Sequence, residues 1–157
     1  MIRSLLFITL ASAVLYGFPT MSFAFGKHHN LNEADPNFVR DANSSVVLDK
    51  KRKLLYYDQK PSKKMTFGEA KAYCENLTYL GADDWYLPSK EQMRTLINNK
   101  RRDTTIKYAF TNVLADIYWS GTEANYKKAW YFDFDLGRYG KQKMQRKYRA
   151  FCVREMK

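Results

Sequence analysis

The sequence predicts an α+β domain in which two short helices pack on antiparallel strands, with one long-range disulfide. Three observations in the 157 residues predict it. Two capping-box patterns, Thr66 with Glu69 and Ser89 with Gln92, each precede apolar residues at helical spacing. The segments on either side are rich in β-branched and aromatic residues, which favour strands. The chain has only two cysteines, one in the first predicted helix and one near the C terminus.

Residues 1–24 have the order of a secretory signal peptide. Arg3 precedes an apolar run, and small residues, Ser22 and Ala24, stand at the −3 and −1 positions of a cleavage site. The run is shorter than the roughly 20 apolar residues that a membrane span needs. We therefore expect cleavage after Ala24, export to the periplasm or the medium, and no transmembrane segment after cleavage. An uncleaved N-terminal anchor is the alternative.

The polar residues 25–43 lack any period and are expected to form a flexible leader, so the folded domain is predicted at 44–157. Ser45–Asp49 and Lys53–Tyr57 predict two strands, because valine, leucine and tyrosine dominate them. Lys50–Arg52 would be their hairpin connection.

Thr66 is predicted to begin the first helix, which ends before Gly81. Its buried stripe at helical spacing is Ala70, Tyr73, Cys74 and Leu77. Ser89 is predicted to begin the second helix, which ends at Asn98–Asn99. The apolar face of that helix is Met93, Leu96 and Ile97.

The stretch Gly81–Pro88 joins the two helices and is interpreted as a structural junction. Pro88 disfavours helical conformation at Leu87, so the second helix begins cleanly after it. Trp85 and Leu87 are expected to anchor the core there, and Trp119 and Trp130 are predicted to be core residues as well.

The C-terminal third predicts strands. Ile117–Ser120 is short and aromatic, and Ala129–Asp135 alternates, so Asp133 and Asp135 lie on one face and Trp130, Phe132 and Phe134 on the other. Leu136–Gly137 is a turn. The basic stretch that follows is expected to pair with Ala129–Asp135 through residues 141–149, and Tyr148–Arg154 is the last strand.

The two cysteines of an exported protein favour a disulfide between Cys74 and Cys152. By loop entropy such a long-range bond contributes roughly 4 kcal/mol. Two free buried thiols are the alternative.

The charge balance is strongly basic, with 27 Lys and Arg against 16 Asp and Glu, a net charge of +11. A basic exported protein attracts polyanions such as acidic or sulfated glycans, whereas export makes nucleic acid a poor physiological partner. Gln145–Ala150 fits the loose basic pattern of heparin-binding segments. The candidate polyanion-binding residues are Arg138, Lys141, Lys143, Arg146, Lys147 and Arg149. A solvated hairpin neutralised by Asp133 and Asp135 is the alternative.

The sequence contains only weak candidates for a metal site or for acid/base catalysis. The Asp83–Asp84 pair is far from the six or more oxygens that a hard cation prefers. Asp133 and Asp135 share a strand face as an acid/base pair would, but cross-strand ion pairs explain them equally well. We expect no cofactor, no metal site and no enzymatic activity.

Several short motifs occur in a fixed order along the chain: Ala70 with Cys74, Gly81–Pro88 with Ser89, Tyr118–Ser120, Ala129–Trp130, Phe134 with Gly137, and Cys152–Arg154. In this order, over about residues 38–154, the chain resembles the C-terminal domain family of the Legionella collagen-like protein. It departs from that family at Tyr86, where an Arg is usual, and at Lys51–Arg52, where Thr-Gly is usual.

The resemblance implies a C-type-lectin-like fold, in which a disulfide joins the first helix to the last strand, at the places of Cys74 and Cys152. It also implies an adhesin-like domain that binds glycosaminoglycans at a cell surface. We therefore expect a secreted binding module for acidic or sulfated polysaccharide. The alternatives are a protein-interaction module of a surface or secretion assembly, and an oxidoreductase of the formylglycine-generating type, which uses cysteines.

Overall fold

The computed structural model describes residues 34–157, so the predicted signal peptide 1–24 and the leader residues 25–33 lie outside the described residues. Two antiparallel sheets form the domain. The first contains, in spatial order, β1 (Phe38–Asp41), β2 (Val46–Asp49), β3 (Leu54–Tyr57) and β7 (Val153–Glu155). The second contains β4 (Ile117–Asn125), β5 (Lys128–Asp133) and β6 (Arg138–Lys143). Two short helices, α1 (Phe67–Glu75) and α2 (Lys90–Arg94), lie between β3 and β4 in the chain.

The first predicted hairpin is confirmed, and β2 pairs with β3 from Asp49↔Leu54 onward. The prediction of a flexible leader up to residue 43 is wrong for its last part. Residues 38–41 form the edge strand β1, because their backbone pairs with β2 and Phe38 is buried in the core. Lys53, in the turn before β3, has a φ of 54°. A left-handed residue is therefore needed in this turn, near the place where the resembled family has glycine.

Both helix starts are confirmed. Thr66 and Ser89 are N-caps with complete capping boxes, closed by Glu69 and Gln92 respectively. The second helix is shorter than predicted and ends at Arg94. The Thr95 hydroxyl donates to the Gln92 carbonyl at 2.7 Å, a local bond that competes with helical continuation.

The basic segment after Gly137 is not one long strand. The strand that pairs with β5 is Arg138–Lys143, in the register Asp133↔Arg138, and not residues 141–149 as predicted. The chain then leaves the sheet in a turn, and the predicted strand Tyr148–Arg154 is regular only from Val153. Upstream of β7, Tyr148 and Arg149 form isolated bridges to Met65 and Tyr118. The departure follows from tertiary contact, because the Met144 carbonyl accepts a bond from the Phe67 N–H at the start of α1.

The second sheet lies between two hydrophobic clusters. Trp119 belongs to the cluster on the α1 side, whereas Phe132, on the other face, belongs to the cluster that contains Met93 of α2. The predicted disulfide Cys74–Cys152 is present, and both cysteines are fully buried. It joins α1 to the segment just before β7, so the closing strand is tied to the first helix.

The junction 81–88 is structural, as predicted. Trp85 is 2 % exposed and its indole N–H donates to the Ala82 carbonyl at 3.2 Å. Leu87 is buried as well. The chain approaches β4 so closely that a Cβ on Gly121 would lie 2.6 Å from the Leu87 carbonyl oxygen. The junction therefore packs directly against the second sheet.

Candidate functional site

Strand β6 carries the first group of predicted polyanion ligands and lies at the edge of its sheet. Side chains on a strand alternate between faces. Lys141 and Lys143 therefore share the face of Tyr139, whose ring stacks on Phe132 with centroids 5.1 Å apart. Both lysines are exposed. The sheet therefore presents these two charges on the same side as α2.

Arg138 lies apart from that pair. It is on the opposite face, where its guanidinium donates to the Asp133 carboxylate at 3.3 Å. Asp133 is buried and also accepts from the backbone N–H groups of Asp135 and Leu136. The predicted cross-strand ion pair is thus present for Asp133 and Arg138, whereas Asp135 lies in the turn after β5 and not on the strand.

Arg146 and Lys147 lie in the turn after β6 and are exposed. Among residues 34–157 neither forms an ion pair. The pKa of Glu69 is lowered mainly by hydrogen bonds from Thr66, with a smaller contribution from the charge of Lys147. Lys147 therefore lies close enough to Glu69, at the start of α1, for its charge to stabilise that carboxylate.

Arg149 bonds to residues of other segments of the domain. Its guanidinium donates to Asp116 at 2.8 Å and to the Ser62 carbonyl. Lys64 also reaches Asp116, at 2.9 Å. Burial pushes the pKa of Asp116 upward, but the bonds from Lys64, the Ile117 N–H and Arg149 outweigh it and lower the pKa. Arg149 therefore has partners within the fold, in contrast to Arg146 and Lys147.

The prediction that Trp130 is a core residue is wrong, whereas Trp119 is fully buried as predicted. Trp130 is half-buried on the outer part of β5. The Lys90 Nζ lies 3.7 Å from its ring centroid and the Lys141 Nζ lies 5.0 Å from it. Both distances are within the range of attraction between a cation and an indole ring. The ring thus holds two amino groups from different elements.

Two more basic residues border this ring. Arg94, one helical turn after Lys90, has its guanidinium carbon 5.7 Å from the Tyr139 ring. Lys128 lies directly opposite Lys143 in the β5–β6 register. We call the whole set the Trp130 surface, and its members are Lys90, Arg94, Lys128, Trp130, Tyr139, Lys141 and Lys143.

Sequence reasoning missed Lys90, Arg94 and Lys128. The available signals were the i, i+4 spacing of Lys90 and Arg94, which places them on one side of a helix, and the i, i+2 spacing of Lys128 and Trp130, which places them on one face of a strand. Neither signal predicts that α2 packs against β5, because that contact depends on the tertiary structure.

The remaining polar residues have structural partners. Asp84 receives two hydrogen bonds from Arg154, at 2.6 and 3.3 Å, and an ion pair from Lys157 at 3.0 Å. The bond from Arg154, then that from Lys157, holds the pKa of Asp84 well below its usual range. Asp58 is buried and binds Arg40 and two backbone N–H groups, while burial raises its pKa. Within residues 34–157, no group of three His, Cys, Asp or Glu side chains is arranged to hold a metal.

The domain defined by this fold is a disulfide-bonded module of two antiparallel sheets and two short helices. Residues 37–154 match the family described as the Lcl C-terminal domain, and this chain belongs to that family. No curated protein gives a significant match to the chain. Among the described residues, no helix has the length and apolar character needed to cross a membrane.

Proposed function

We propose that this chain is a secreted, non-enzymatic module that binds acidic or sulfated polysaccharide at a cell surface, in the manner of an adhesin, and that its fold is C-type-lectin-like. One observation carries the proposal. Four of the predicted basic residues are exposed and, among the described residues, have no carboxylate partner within 4.0 Å: Lys141, Lys143, Arg146 and Lys147.

Unpaired surface cations are available to a polyanion at little cost, because no internal ion pair must be broken first. Arg138 and Arg149, by contrast, would have to leave Asp133 and Asp116. The disulfide favours an oxidising compartment such as the periplasm or the medium. Its link between the first helix and the C-terminal segment supports the C-type-lectin-like assignment.

The test is heparin binding by the purified chain at low and high salt. We expect the affinity to fall steeply with salt, because each ammonium–anion contact releases counterions. Changing Lys141, Lys143, Arg146 and Lys147 to Ala should weaken binding by at least tenfold. A matched control removes the same charge from exposed lysines elsewhere, Lys50, Lys51, Lys60 and Lys63, and should lose much less. Absence of heparin binding by the wild type at low salt would falsify the proposal.

A protein-binding module is the second candidate, and Tyr126 favours it. This residue is 81 % exposed at the tip of the β4–β5 hairpin, beside Lys127. Capture of a protein partner that is insensitive to salt and lost in Tyr126→Ala would support this alternative. The thiol-based oxidoreductase has less support, because Cys74 and Cys152 are joined to each other; two titratable thiols in the exported chain would reopen it.

A further inference from the structure

In the Trp130 surface, two lysines from different secondary-structure elements converge on one aromatic ring. Lys90 comes from α2 and Lys141 from β6, yet both amino groups lie over the same ring. A long, flexible ammonium side chain loses rotamer freedom when it binds a ligand. Holding both on one indole restricts that freedom before any ligand arrives, so the ring pre-organises the two charges.

The neighbouring position along the two strands carries a like-charge pair. Lys128 and Lys143 are direct Cα partners across β5 and β6. Facing residues of adjacent strands have Cβ atoms about 5 Å apart, and like charges so placed destabilise a sheet. Neither lysine has a carboxylate within 4.0 Å among the described residues. An anion between the two amino groups would remove this repulsion.

The two features are consecutive positions of one ladder. Trp130 pairs with Lys141, and two residues along the strands Lys128 pairs with Lys143. Positions i and i+2 of a strand are on the same face and about 7 Å apart. The surface therefore offers two cationic positions in line, one ring-centred and one formed by a lysine pair.

We propose that the Trp130 surface is the primary polysaccharide site, that the chain of the ligand runs along β5 and β6, and that Lys90 and Trp130 are binding residues. This inference rests on the proposed function and adds the location of the site and the class of ligand. Three lysines in the ladder, with Lys90 and Arg94 of α2 beside them, match a densely charged ligand. A chain with several sulfate esters per repeat meets that density, whereas a chain with one carboxylate per repeat does not.

The decisive variant changes no charge. Trp130→Ala leaves all five cations in place but removes the ring that orders two of them. We expect about a fivefold loss of heparin affinity, since the ligand must then restrict the rotamers of the two lysines itself. Trp130→Phe keeps an aromatic face and should restore part of the affinity. Heparin should also bind far more tightly than chemically desulfated heparin.

A matched pair of double variants locates the site. Lys90→Met with Lys141→Met removes two charges from the Trp130 surface while keeping the aliphatic stems. Arg146→Ala with Lys147→Ala removes two charges from the turn after β6. We expect the first pair to reduce affinity more and to lower the slope of log affinity against log salt by about two. Unfolding curves serve to confirm that each variant is folded.

Tryptophan fluorescence supplies an independent readout. Trp85 and Trp119 are buried, so Trp130 is the tryptophan whose surroundings a surface ligand changes. Heparin should place sulfates beside the two amino groups that lie over the ring, which changes the surroundings of the indole and shifts its emission. The shift should be absent in Trp130→Phe and in the Lys90→Met, Lys141→Met variant.

The outcomes separate this inference from the proposed function. If the wild type does not bind heparin, both fail. If the wild type binds, but Trp130→Ala binds equally well and the turn variant loses the most affinity, the site is elsewhere and only this inference is overturned. Equal affinity for heparin and desulfated heparin would overturn the assignment of ligand class.

Discussion

Trp85 and Trp130 are both accompanied by a cation, and their surroundings differ in the neutralisation of that cation and in burial. The Arg154 guanidinium carbon lies 5.9 Å from the Trp85 ring and its charge is taken by Asp84. The Lys90 amino group lies 3.7 Å from the Trp130 ring and has no such partner among the described residues. A neutralised cation over a buried ring stabilises the fold, whereas an unneutralised cation over a half-exposed ring leaves charge available for a ligand.

Burial differs in the same direction. Trp85 is 2 % exposed and packs against Tyr57 and Tyr79 with ring centroids 6.1 and 6.3 Å apart. Among residues 34–157, Trp130 contacts one neighbouring aromatic ring, that of the partly exposed Tyr139. The different roles proposed for the two tryptophans therefore rest on their surroundings and not on the residue type.

The largest expected effect is the loss of stability when Trp85 is removed. Trp85→Ala should lower the free energy of unfolding by about 3–5 kcal/mol, because a large buried ring is lost and a cavity remains. Trp130→Ala should lower it by less, about 1–2 kcal/mol, because the partly exposed ring leaves no enclosed cavity and mainly its two cation contacts are lost. Urea unfolding of both variants measures the difference. If Trp85→Ala stays as stable as the wild type but loses heparin binding, the roles of the two tryptophans are reversed.

A smaller effect is expected from the carboxylate that neutralises Arg154. Asp84→Asn should cost about 1 kcal/mol at neutral pH, the range of a partly exposed bidentate pair. The folded-state pKa of Asp84 lies below its ordinary value of 3.8. Its contribution is therefore complete above that value and is lost as pH falls toward the folded pKa.

The stability difference between the wild type and Asp84→Asn should thus shrink on going from about pH 5 to about pH 2. Urea titrations at several pH values measure it. Asp83→Asn is the control, because the neighbouring Asp83 is exposed and forms no ion pair among the described residues. A difference that grows as pH falls would contradict the assigned direction of the shift.

The smallest effect concerns the turn that leads into Trp85. Leu80 is exposed and has a φ of 54°, directly before Gly81 at 71°. Glycine adopts this conformation without the Cβ penalty, so Leu80→Gly should raise the free energy of unfolding by about 0.5 kcal/mol after its own entropy cost. Thermal unfolding measures the gain, and heparin affinity should stay unchanged. If Leu80→Gly lowers the heparin affinity, the junction 81–88 contributes to ligand binding and the assignment of a purely structural role is wrong.

Much of the fold followed from local sequence. The capping boxes at Thr66 and Ser89, the β2–β3 hairpin and the left-handed turn at Gly137 depend on interactions within a few residues, and each is present. The family was also identifiable from short motifs, and residues 37–154 match it. The exit of the chain after β6 was not predictable, because the Met144 carbonyl there bonds to the distant Phe67 N–H. The early end of α2 follows from the local bond between the Thr95 hydroxyl and the Gln92 carbonyl, which the apolar spacing of the helix does not reveal.

The candidate site divides in the same way. Composition alone determined that the chain is strongly basic, and the sequence placed Lys141 and Lys143 in a strand that pairs with Ala129–Asp135. Only the tertiary structure decided which charges are free. It placed Asp133 beside Arg138 and Asp116 beside Arg149, and it brought Lys90 of α2 over Trp130. The physical reason is that the charge of a side chain follows from its residue type, whereas its neutralisation depends on which side chains the fold places beside it. A sequence lists cations, and only the fold determines which of them have a carboxylate within reach.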